Sequence, residues 1–480
     1  MDKQTAPIGK AKAVERLVRL ITAALIFILL TRTPIDADLW WHLRAGQTMV
    51  EQGKILLTDI FSYTRFGTPW VNAFWASEIL LSALYSLGGY FAITIFVALM
   101  GAVTFYILSR RLKGNPFINA LVLILAAVTA APIWGPRPQI ISFFLVALLD
   151  NWLATKRPHW WLPILFAVWA NLHGGWIWGF LLLLAHLAGN ILSLITQPER
   201  RKELWLETRS LFLWSLLGAL AIGLNPNGLG IWKLPFHQID VSMQIQEWLS
   251  PDFHRVDFHP FLWMLFLLIL LSPFAPKPPQ WGQIIKILGF SYLTFVAQRN
   301  IAIAAIVAVP LLSDWANAAI INFQTKERLK PRPSLSLPLK AIINTVLGVS
   351  LIAAALGNAF LKSQPQKVDE NYPAAAVAWM KANQPEGPIF NSYNFGGYLI
   401  WTLPEYPVFI DGRADLYSNE IIQQWAEISS GTPKGLELLD TYQVNIIFLE
   451  PYQSLLDKLP PDEWEKMYSD PKITIYQRKH

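Results

Sequence analysis

Two aspartates, Asp36 and Asp38, lie at the start of residues 35–76, the first loop, which is the most polar and aromatic stretch between the apolar runs. On an extended segment alternate side chains point the same way, so both carboxylates can converge on one ligand. They could bind one divalent cation, Mg²⁺ or Mn²⁺, or one could act as a general base that the other orients. An acidic helix cap before a turn at residues 39–43 is the alternative, and the spacing fits both. We predict that Asp36 and Asp38 are catalytic, and that they are the metal ligands if a cation is used.

His42 and Arg44 follow these aspartates on the first turns of a predicted amphipathic helix, which Trp40 and Trp41 would anchor in the membrane interface. The guanidinium of Arg44 could hold an anionic phosphate through paired hydrogen bonds. Snorkelling toward the interface is the alternative. Both His42 and Arg44 are candidates for binding a substrate or its phosphate.

Polar and ionisable residues also occupy the other connections on the same predicted side of the membrane. Such groups are costly beside a bilayer unless they are paired or used. Singly, each fits a structural ion pair or a solvated loop charge; together they predict a polar cavity. The further substrate-binding candidates are Glu78 just after the first loop, Arg137 and Gln139 in GPRPQ, His173 in NLHGGW and Arg299 in AQRN. The loop 225–260 carries four more ionisable residues, His237, Glu247, Asp252 and His254, which are not among the candidates.

His173 precedes Gly174 and Gly175, which allow a backbone or a substrate to approach closely. A neutral histidine there could form a hydrogen bond with a sugar hydroxyl or a phosphate, and helix capping is the alternative. The chain has no zinc-ligand spacing, no Walker sequence, no G-x-G-x-x-G after a strand and no G-x-S-x-G. Zinc, nucleotide hydrolysis and serine chemistry therefore lack support.

Near the end of the chain, Asp411, Arg413 and Asp415 follow a predicted buried strand at residues 407–410. The carboxyl ends of strands are where α/β domains usually bind ligands, so Asp411 and Arg413 are also substrate-binding candidates. The alternative is an Asp–Arg pair that fixes a loop.

The elements that must position these residues are mainly membrane helices. Of 480 residues, 53% are hydrophobic and 15% are charged, there are 22 Trp and 33 Pro, and there is no Cys. Soluble domains have about 25% charged residues. This composition excludes a disordered chain, a collagen and a disulfide scaffold, and it predicts a membrane protein whose principal partner is the lipid bilayer.

About eleven apolar runs predict membrane-spanning helices. Basic residues alternate between the connections as the positive-inside rule requires, with the basic amino terminus inside and the first run an uncleaved helix. The carboxyl terminus would then lie outside. Nucleic acid is excluded as a partner because the basic residues lie in short connections and not on one folded face. The predicted spans are residues 17–34, 89–109, 116–134, 139–155, 160–172, 176–195, 209–224, 261–276, 281–297, 301–317 and 339–361.

Residues 362–480 are predicted to form a soluble extracytoplasmic α/β domain after the transmembrane domain, residues 1–361. Its charge is acidic, whereas that of the membrane part is basic. Apolar patterning predicts helices at 372–384, 418–428 and 434–442, and strands at 388–393, 407–410, 444–449 and 472–477.

The whole pattern resembles the GT-C superfamily of membrane glycosyltransferases, which use polyprenyl-phosphate-linked sugar donors. The loop DADLWWHLRAG is similar to the first-loop motif of that class, and residues 393–398 are distantly similar to the W-W-D-Y-G-Y region of oligosaccharyltransferase catalytic subunits, with Asn394 in place of the Asp. The chain also resembles a group of bacterial polytopic proteins that share four motifs. These stand here at residues 36–46, 58–64, 169–175 and 409–415.

The resemblance implies a polytopic α-helical membrane protein of GT-C-like fold with a C-terminal extracytoplasmic α/β domain, in the bacterial plasma (inner) membrane. It implies an inverting hexosyl or pentosyl transferase of the cell envelope, which moves a sugar from a polyprenyl-phosphate donor to a glycan, lipid or protein acceptor. A carboxylate, Asp38 or Asp36, would be the base, and Arg44, Arg137 or Arg299 would offset the phosphate charge. The alternatives are a flippase or transporter of lipid-linked sugars and an inactive scaffold of the same fold.

Overall fold

The computed structural model describes residues 8–155, 159–235, 246–324 and 337–479. Each predicted apolar run overlaps a helix. These helices are α1 (Ile8–Leu30), α3 (Trp75–Ser109), α4 (Pro116–Ala130), α5 (Gln139–Leu153), α6 (Leu162–Leu172), α7 (Trp176–Thr196), α8 (Arg201–Ala221), α9 (His259–Leu271), α10 (Trp281–Val296), α11 (Ile301–Gln324) and α12 (Leu337–Lys362), with α2 (Leu39–Gln52) in the first loop.

Six segments of the described chain are helical, long and apolar enough to cross a membrane, and α5 and α6 are shorter apolar helices. A mostly helical bundle with several membrane-spanning helices is therefore confirmed, and the number of crossings stays a prediction. Helix α3 is 35 residues long and kinks at Gly88 and Gly89, where Gly89 has a φ of 56°. The predicted span at 89–109 begins at this kink because the turns before it are more polar.

Residues 362–480, called the tail below, contain a four-stranded sheet formed by β1 (Ile389–Asn391), β2 (Ile446–Leu449), β3 (Trp464–Ser469) and β4 (Thr474–Arg478). The strand order is β1-β2-β4-β3, in which β1 and β2 are parallel and the other neighbours are antiparallel. Small helices surround the sheet. These are α13 (Pro365–Asp369), α14 (Ala374–Asn383), α15 (Gly396–Thr402), α16 (Asn419–Ser429) and α17 (Pro433–Thr441). The predicted small α/β fold of the tail is thus present.

The predicted strand at 407–410 is wrong, because this segment pairs with the first loop and not with the sheet. Val408 forms a parallel bridge with Ser62. Its N–H donates to the Phe61 carbonyl at 3.0 Å, and its carbonyl accepts from the Tyr63 N–H at 3.1 Å. The segment is buried and apolar like a strand, but the partner that completes its hydrogen bonds lies more than 300 residues earlier in the chain.

Candidate active site between the first loop and the tail

A cavity of about 520 Å³ opens where the first loop, four later connections and the tail meet. The tail contributes Tyr393, Asn394, Gly412, Ala414 and Asp415, so the cavity and the tail lie on the same side of the bundle. The connections bring together seven of the eleven candidate residues. These are Asp36, Asp38, His42, Arg137, Gln139, His173 and Arg299.

Arg137 stands at the centre of the charged groups in this cavity. Its Nε lies 2.6 Å from Asp36 Oδ2, and its Nη1 lies 3.1 Å from Asp38 Oδ2 and 2.8 Å from Glu247 Oε2. Arg299 adds a second guanidinium, 3.6 Å from Glu247 Oε1. Three carboxylates thus share two arginines, so the cluster has one more negative than positive charge when all five groups are ionised.

This excess of negative charge makes one carboxylate easy to protonate. Burial raises the pKa of Asp38 to about 7, with Asp36 adding to the rise and Arg137 opposing it. Burial also raises the pKa of Asp36. For Glu247 burial acts in the same direction, but Arg137 and Arg299 outweigh it and lower its pKa. A carboxylate that titrates near pH 7 has the proton affinity that suits a general base.

Asp38 is the more open of the two aspartates, with 22% of its side chain exposed against 10% for Asp36. Its Oδ1 accepts a hydrogen bond from Trp41 Nε1 at 3.1 Å. Asp36 Oδ1 accepts the backbone N–H of Asp38 at 2.9 Å. The two aspartates therefore differ in role: Asp36 fixes the turn and binds Arg137, while Asp38 faces the cavity.

Gly412 of the tail lies against Asp38, and a Cβ atom added to this glycine would lie 2.0 Å from Asp38 Oδ1. We expect Gly412→Ala to displace the Asp38 side chain without unfolding the protein, because the atom it meets is the end of a side chain. A displacement of about 1 Å at a reacting group can cost about 10²-fold in rate. Gly289→Ala is the matched control, since a Cβ there meets open space. Equal activities for the two variants would contradict this prediction, and equal melting temperatures would show that a loss of activity is not caused by unfolding.

His42 and Glu78 form a buried pair beside the cavity. His42 Nδ1 lies 3.1 Å from Glu78 Oε1, and the two side chains are 3% and 0% exposed. Asn72 Nδ2 donates to the other Glu78 oxygen at 2.7 Å. Burial, with His173 and Arg137 nearby, lowers the pKa of His42 well below its usual value. Glu78 is not among the lining residues, so it can act on a ligand only through His42.

Arg44 lies away from the cavity. Its Nε and Nη2 donate to the carbonyls of Ile400 and Trp401 at 3.2 and 2.8 Å, and its guanidinium lies 5.2 Å from the Trp401 ring centroid. Neither phosphate binding nor snorkelling describes this geometry. Arg44 fastens α2 to the end of α15 in the tail.

Asp411 and Arg413 are fully buried, and the interpretation as a pair that fixes a loop matches their geometry. Arg413 binds Asp411 through Nε at 2.8 Å and Nη2 at 2.6 Å, and its Nη1 lies 2.6 Å from Asp59 of the first loop. Tyr417 donates to Asp411 at 2.6 Å. With these partners the two side chains have no exposed surface for a substrate, and they join the tail to the first loop.

The ionisable residues of the loop 225–260 separate in the structure. Glu247 enters the cavity, whereas Asp252 and His254 pair with each other at the exposed surface, 3.0 Å apart. His237 lies outside the described residues. Sequence reasoning named Glu247 only as one loop charge among four, and nothing in its local pattern distinguishes it from Asp252.

Three further residues support the site but were not among the candidates chosen from the sequence. Asp59, which binds Arg413, lies within the T-D-x-F-S-Y-T motif, so the motif itself was the available signal. Tyr372 accepts the Asp36 backbone N–H at 2.9 Å. Trp248 lies under Arg299, 4.2 Å from ring centroid to guanidinium. Tyr372 and Trp248 carry no local signal because their partners are distant in sequence.

The predicted divalent cation does not fit between Asp36 and Asp38 in this geometry. The point on which the carboxylates converge is taken by the guanidinium of Arg137, which satisfies them electrostatically. Over residues 8–155, 159–235, 246–324 and 337–479 there is no group of three or more His, Asp or Glu side chains that could hold a metal ion. We therefore assign no step to a metal.

A helical membrane bundle, a first loop that carries the charged residues and a small α/β tail over a shared cavity define a GT-C-like fold. Solved structures with this architecture are similar to the chain. The archaeal oligosaccharyltransferase AglB from Archaeoglobus fulgidus, in complex with an inhibitory peptide and a dolichol-phosphate, has a TM-score of 0.58 at 11% identity, with 91% of this chain and 69% of that chain covered. An oligosaccharyltransferase from Archaeoglobus fulgidus in the apo form has a TM-score of 0.58 at 11% identity, with 97% of this chain and 74% of that chain covered.

ArnT from Cupriavidus metallidurans, bound to undecaprenyl phosphate, has a TM-score of 0.45 at 14% identity, with 98% of each chain covered. No protein-family model matches the chain, and no curated protein matches it significantly in sequence. At such low identity the similarity to AglB establishes the fold, and the activity has to be argued from the cavity.

Proposed function

We propose that this protein is an integral-membrane glycosyltransferase that moves a sugar from a polyprenyl-phosphate-linked donor to an acceptor on the extracytoplasmic side. The observation that carries the proposal is the pairing, in one open cavity, of a carboxylate with a pKa near 7 and two arginines. A proton acceptor and a phosphate-charge clamp are what such a transfer requires.

In the proposed reaction the carboxylate of Asp38 takes the proton of the acceptor hydroxyl as its oxygen attacks the anomeric carbon. The new carbon–oxygen bond forms while the bond from that carbon to the phosphate oxygen breaks, and the configuration inverts. The bonding electrons leave with the lipid phosphate, whose added charge Arg137 and Arg299 stabilise. Asp36 and Glu247 hold the two guanidinium groups in place.

A lipid-phosphate donor fits this chain better than a nucleotide sugar. The cavity lies at one end of a bundle of apolar helices, and the sequence has no nucleotide-binding motif. A related architecture accommodates such a lipid, since AglB was solved with dolichol-phosphate. The external orientation of the cavity and the division of the chain at residues 361 and 362 belong to the same proposal.

The test is mass spectrometry of the purified protein in nanodiscs, incubated with a mixed pool of polyprenyl-phosphate sugars and extracted cell-envelope acceptors. We expect acceptors that gain the mass of a hexosyl or pentosyl unit, and no gain when nucleotide sugars replace the lipid donors. One arm contains EDTA, and we expect it to retain transfer because Arg137 occupies the point between the carboxylates. Passage of lipid-linked sugar across a liposome bilayer without any transfer would support the transporter and overturn the proposal.

A further inference from the structure

One wall of the cavity carries no net charge and differs from the arginine–carboxylate cluster. It consists of Phe74 with a histidine on either side. The ring centroids of His42 and Phe74 are 5.3 Å apart, and those of Phe74 and His173 are 5.4 Å apart. All three residues line the cavity. The wall therefore offers an aromatic ring between two imidazoles.

The protonation of His173 is fixed by its neighbours. Its Nδ1 accepts the backbone N–H of Gly175 at 2.8 Å and lies 2.7 Å from Ser142 Oγ. Ser142 in turn accepts the indole N–H of Trp169 at 2.7 Å, which turns its own hydrogen toward His173. An imidazole nitrogen that accepts a backbone N–H carries no proton, so the neutral ring is protonated on Nε2.

His173 also stays neutral. Burial lowers its pKa to about 3, and the positive charge of Arg299 adds to this effect. Among the described residues Nε2 has no hydrogen-bond partner, although Nδ1 is fully used. His173 thus presents a fixed, uncharged N–H donor at the cavity wall.

His42 is held in a comparable way on the other side of Phe74. Its Nδ1 is bound to Glu78, which leaves Nε2 as the nitrogen that can meet a ligand. Asn72 connects the parts: its Nδ2 donates to Glu78 and its Oδ1 accepts the backbone N–H of Phe74 at 3.0 Å. The ring of Phe74 and the orientation of His42 are therefore set by the same amide.

We propose that Phe74, His42 and His173 form a sugar-binding subsite in which His173 Nε2–H donates to a hydroxyl oxygen of the sugar. The inference rests on the proposed function and specifies its substrate site. An aromatic face packs on the C–H groups of a sugar ring, and neutral polar groups beside it suit hydroxyls, whereas the arginines of the opposite cluster suit a phosphate. The cavity thus has a neutral wall for the sugar and a charged wall for the phosphate.

The test replaces His173 with Asn or with Gln, whose side-chain amides take the places of different ring nitrogens. Asn places a polar atom near the position of Nδ1, so it retains the contacts to Ser142 and Gly175 but has no donor toward the cavity. Gln places its amide N–H near the position of Nε2. The probes are methyl glycosides of glucose, mannose, galactose and arabinose, titrated against ¹⁵N-histidine-labelled protein in nanodiscs free of sugar detergents.

For the wild type we expect an NMR spectrum with His173 unprotonated on Nδ1 at neutral pH, and an Nε2 signal that shifts with at least one glycoside. His173→Asn should bind that glycoside about fivefold to tenfold more weakly, while His173→Gln stays closer to wild type. A protonated Nδ1, an Nε2 signal that no glycoside shifts, or equal binding by wild type and His173→Asn would overturn the subsite. Glycoside binding needs no transfer, so failure of the subsite can be distinguished from failure of the proposed function, which the transfer assay measures.

Discussion

Replacing Asp38 with Asn is expected to lower the rate of sugar transfer by about 10²–10⁴-fold, the usual contribution of a general base. The amide has the shape of the carboxylate and can still accept the Trp41 hydrogen bond, so the fold should be retained. It cannot take a proton from an acceptor hydroxyl. The measurement is initial rate by mass spectrometry, with the melting temperature of each variant measured beside it.

The wild-type pH profile gives the same assignment a second test. A base works in its deprotonated form, and burial raises the pKa of Asp38 to about 7. The rate should therefore rise with pH and level off above about pH 7, whereas an ordinary aspartate would already be deprotonated near pH 5. Asp252→Asn is the matched control, because Asp252 is an exposed loop carboxylate that pairs with His254 at the surface. Full activity in Asp38→Asn, or a plateau already at pH 5, would contradict the assignment.

The helices were predictable because hydrophobicity is a local property of the chain. Each apolar run became a helix, and even the kink in α3 coincides with the start of the predicted span at Gly89. The sequence did not predict strand β3, because Trp464–Ser469 is an edge strand with mostly exposed, polar residues. An exposed strand has no apolar pattern to detect.

The arginine that binds the two aspartates could not be chosen from the sequence. Arg44 lies in the same motif as Asp38, but it follows His42 by two residues, about 200° around a helix with 3.6 residues per turn. Because His42 faces the cavity, Arg44 faces the tail. Arg137 reaches the aspartates from another connection, and this pairing is a property of the tertiary structure.

The prediction that Asp411 and Arg413 bind a substrate depended on the predicted strand at 407–410. The prediction of a ligand at its carboxyl end assumed that it belonged to the sheet. In the structure this segment pairs with residues 61–63, so the residues after it are carried into the interface with the first loop and buried there. In this position Asp411 and Arg413 hold the first loop.

Replacing Arg413 with Met is expected to destabilise the fold by about 3–5 kcal/mol, the range for removing one partner of a buried ion pair. Methionine fills much of the same space but leaves the charges of Asp411 and Asp59 buried without a cation. Thermal and denaturant unfolding in nanodiscs would measure the loss. Arg478→Met is the control, because Arg478 pairs with the largely exposed Asp440 and surface pairs contribute about 1 kcal/mol or less.

The sign of the pH dependence distinguishes lost charge compensation from lost packing. In the wild type burial raises the pKa of Asp59, but Arg413 and the hydrogen bonds from Ser62 and the Phe61 backbone together outweigh it and lower this pKa. The carboxylate therefore stabilises the fold at neutral pH, and the contribution is lost on acidification. In Arg413→Met the carboxylate of Asp59 loses the cation that lowers its pKa, so it is protonated more readily and the stability deficit relative to wild type should shrink as the pH falls toward 5. Adding Asp59→Asn and Asp411→Asn to Arg413→Met should restore part of the stability at neutral pH. A deficit that is constant with pH and unaffected by these additions would show that Arg413 acts by packing, and the proposed electrostatic link between the first loop and the tail would be wrong.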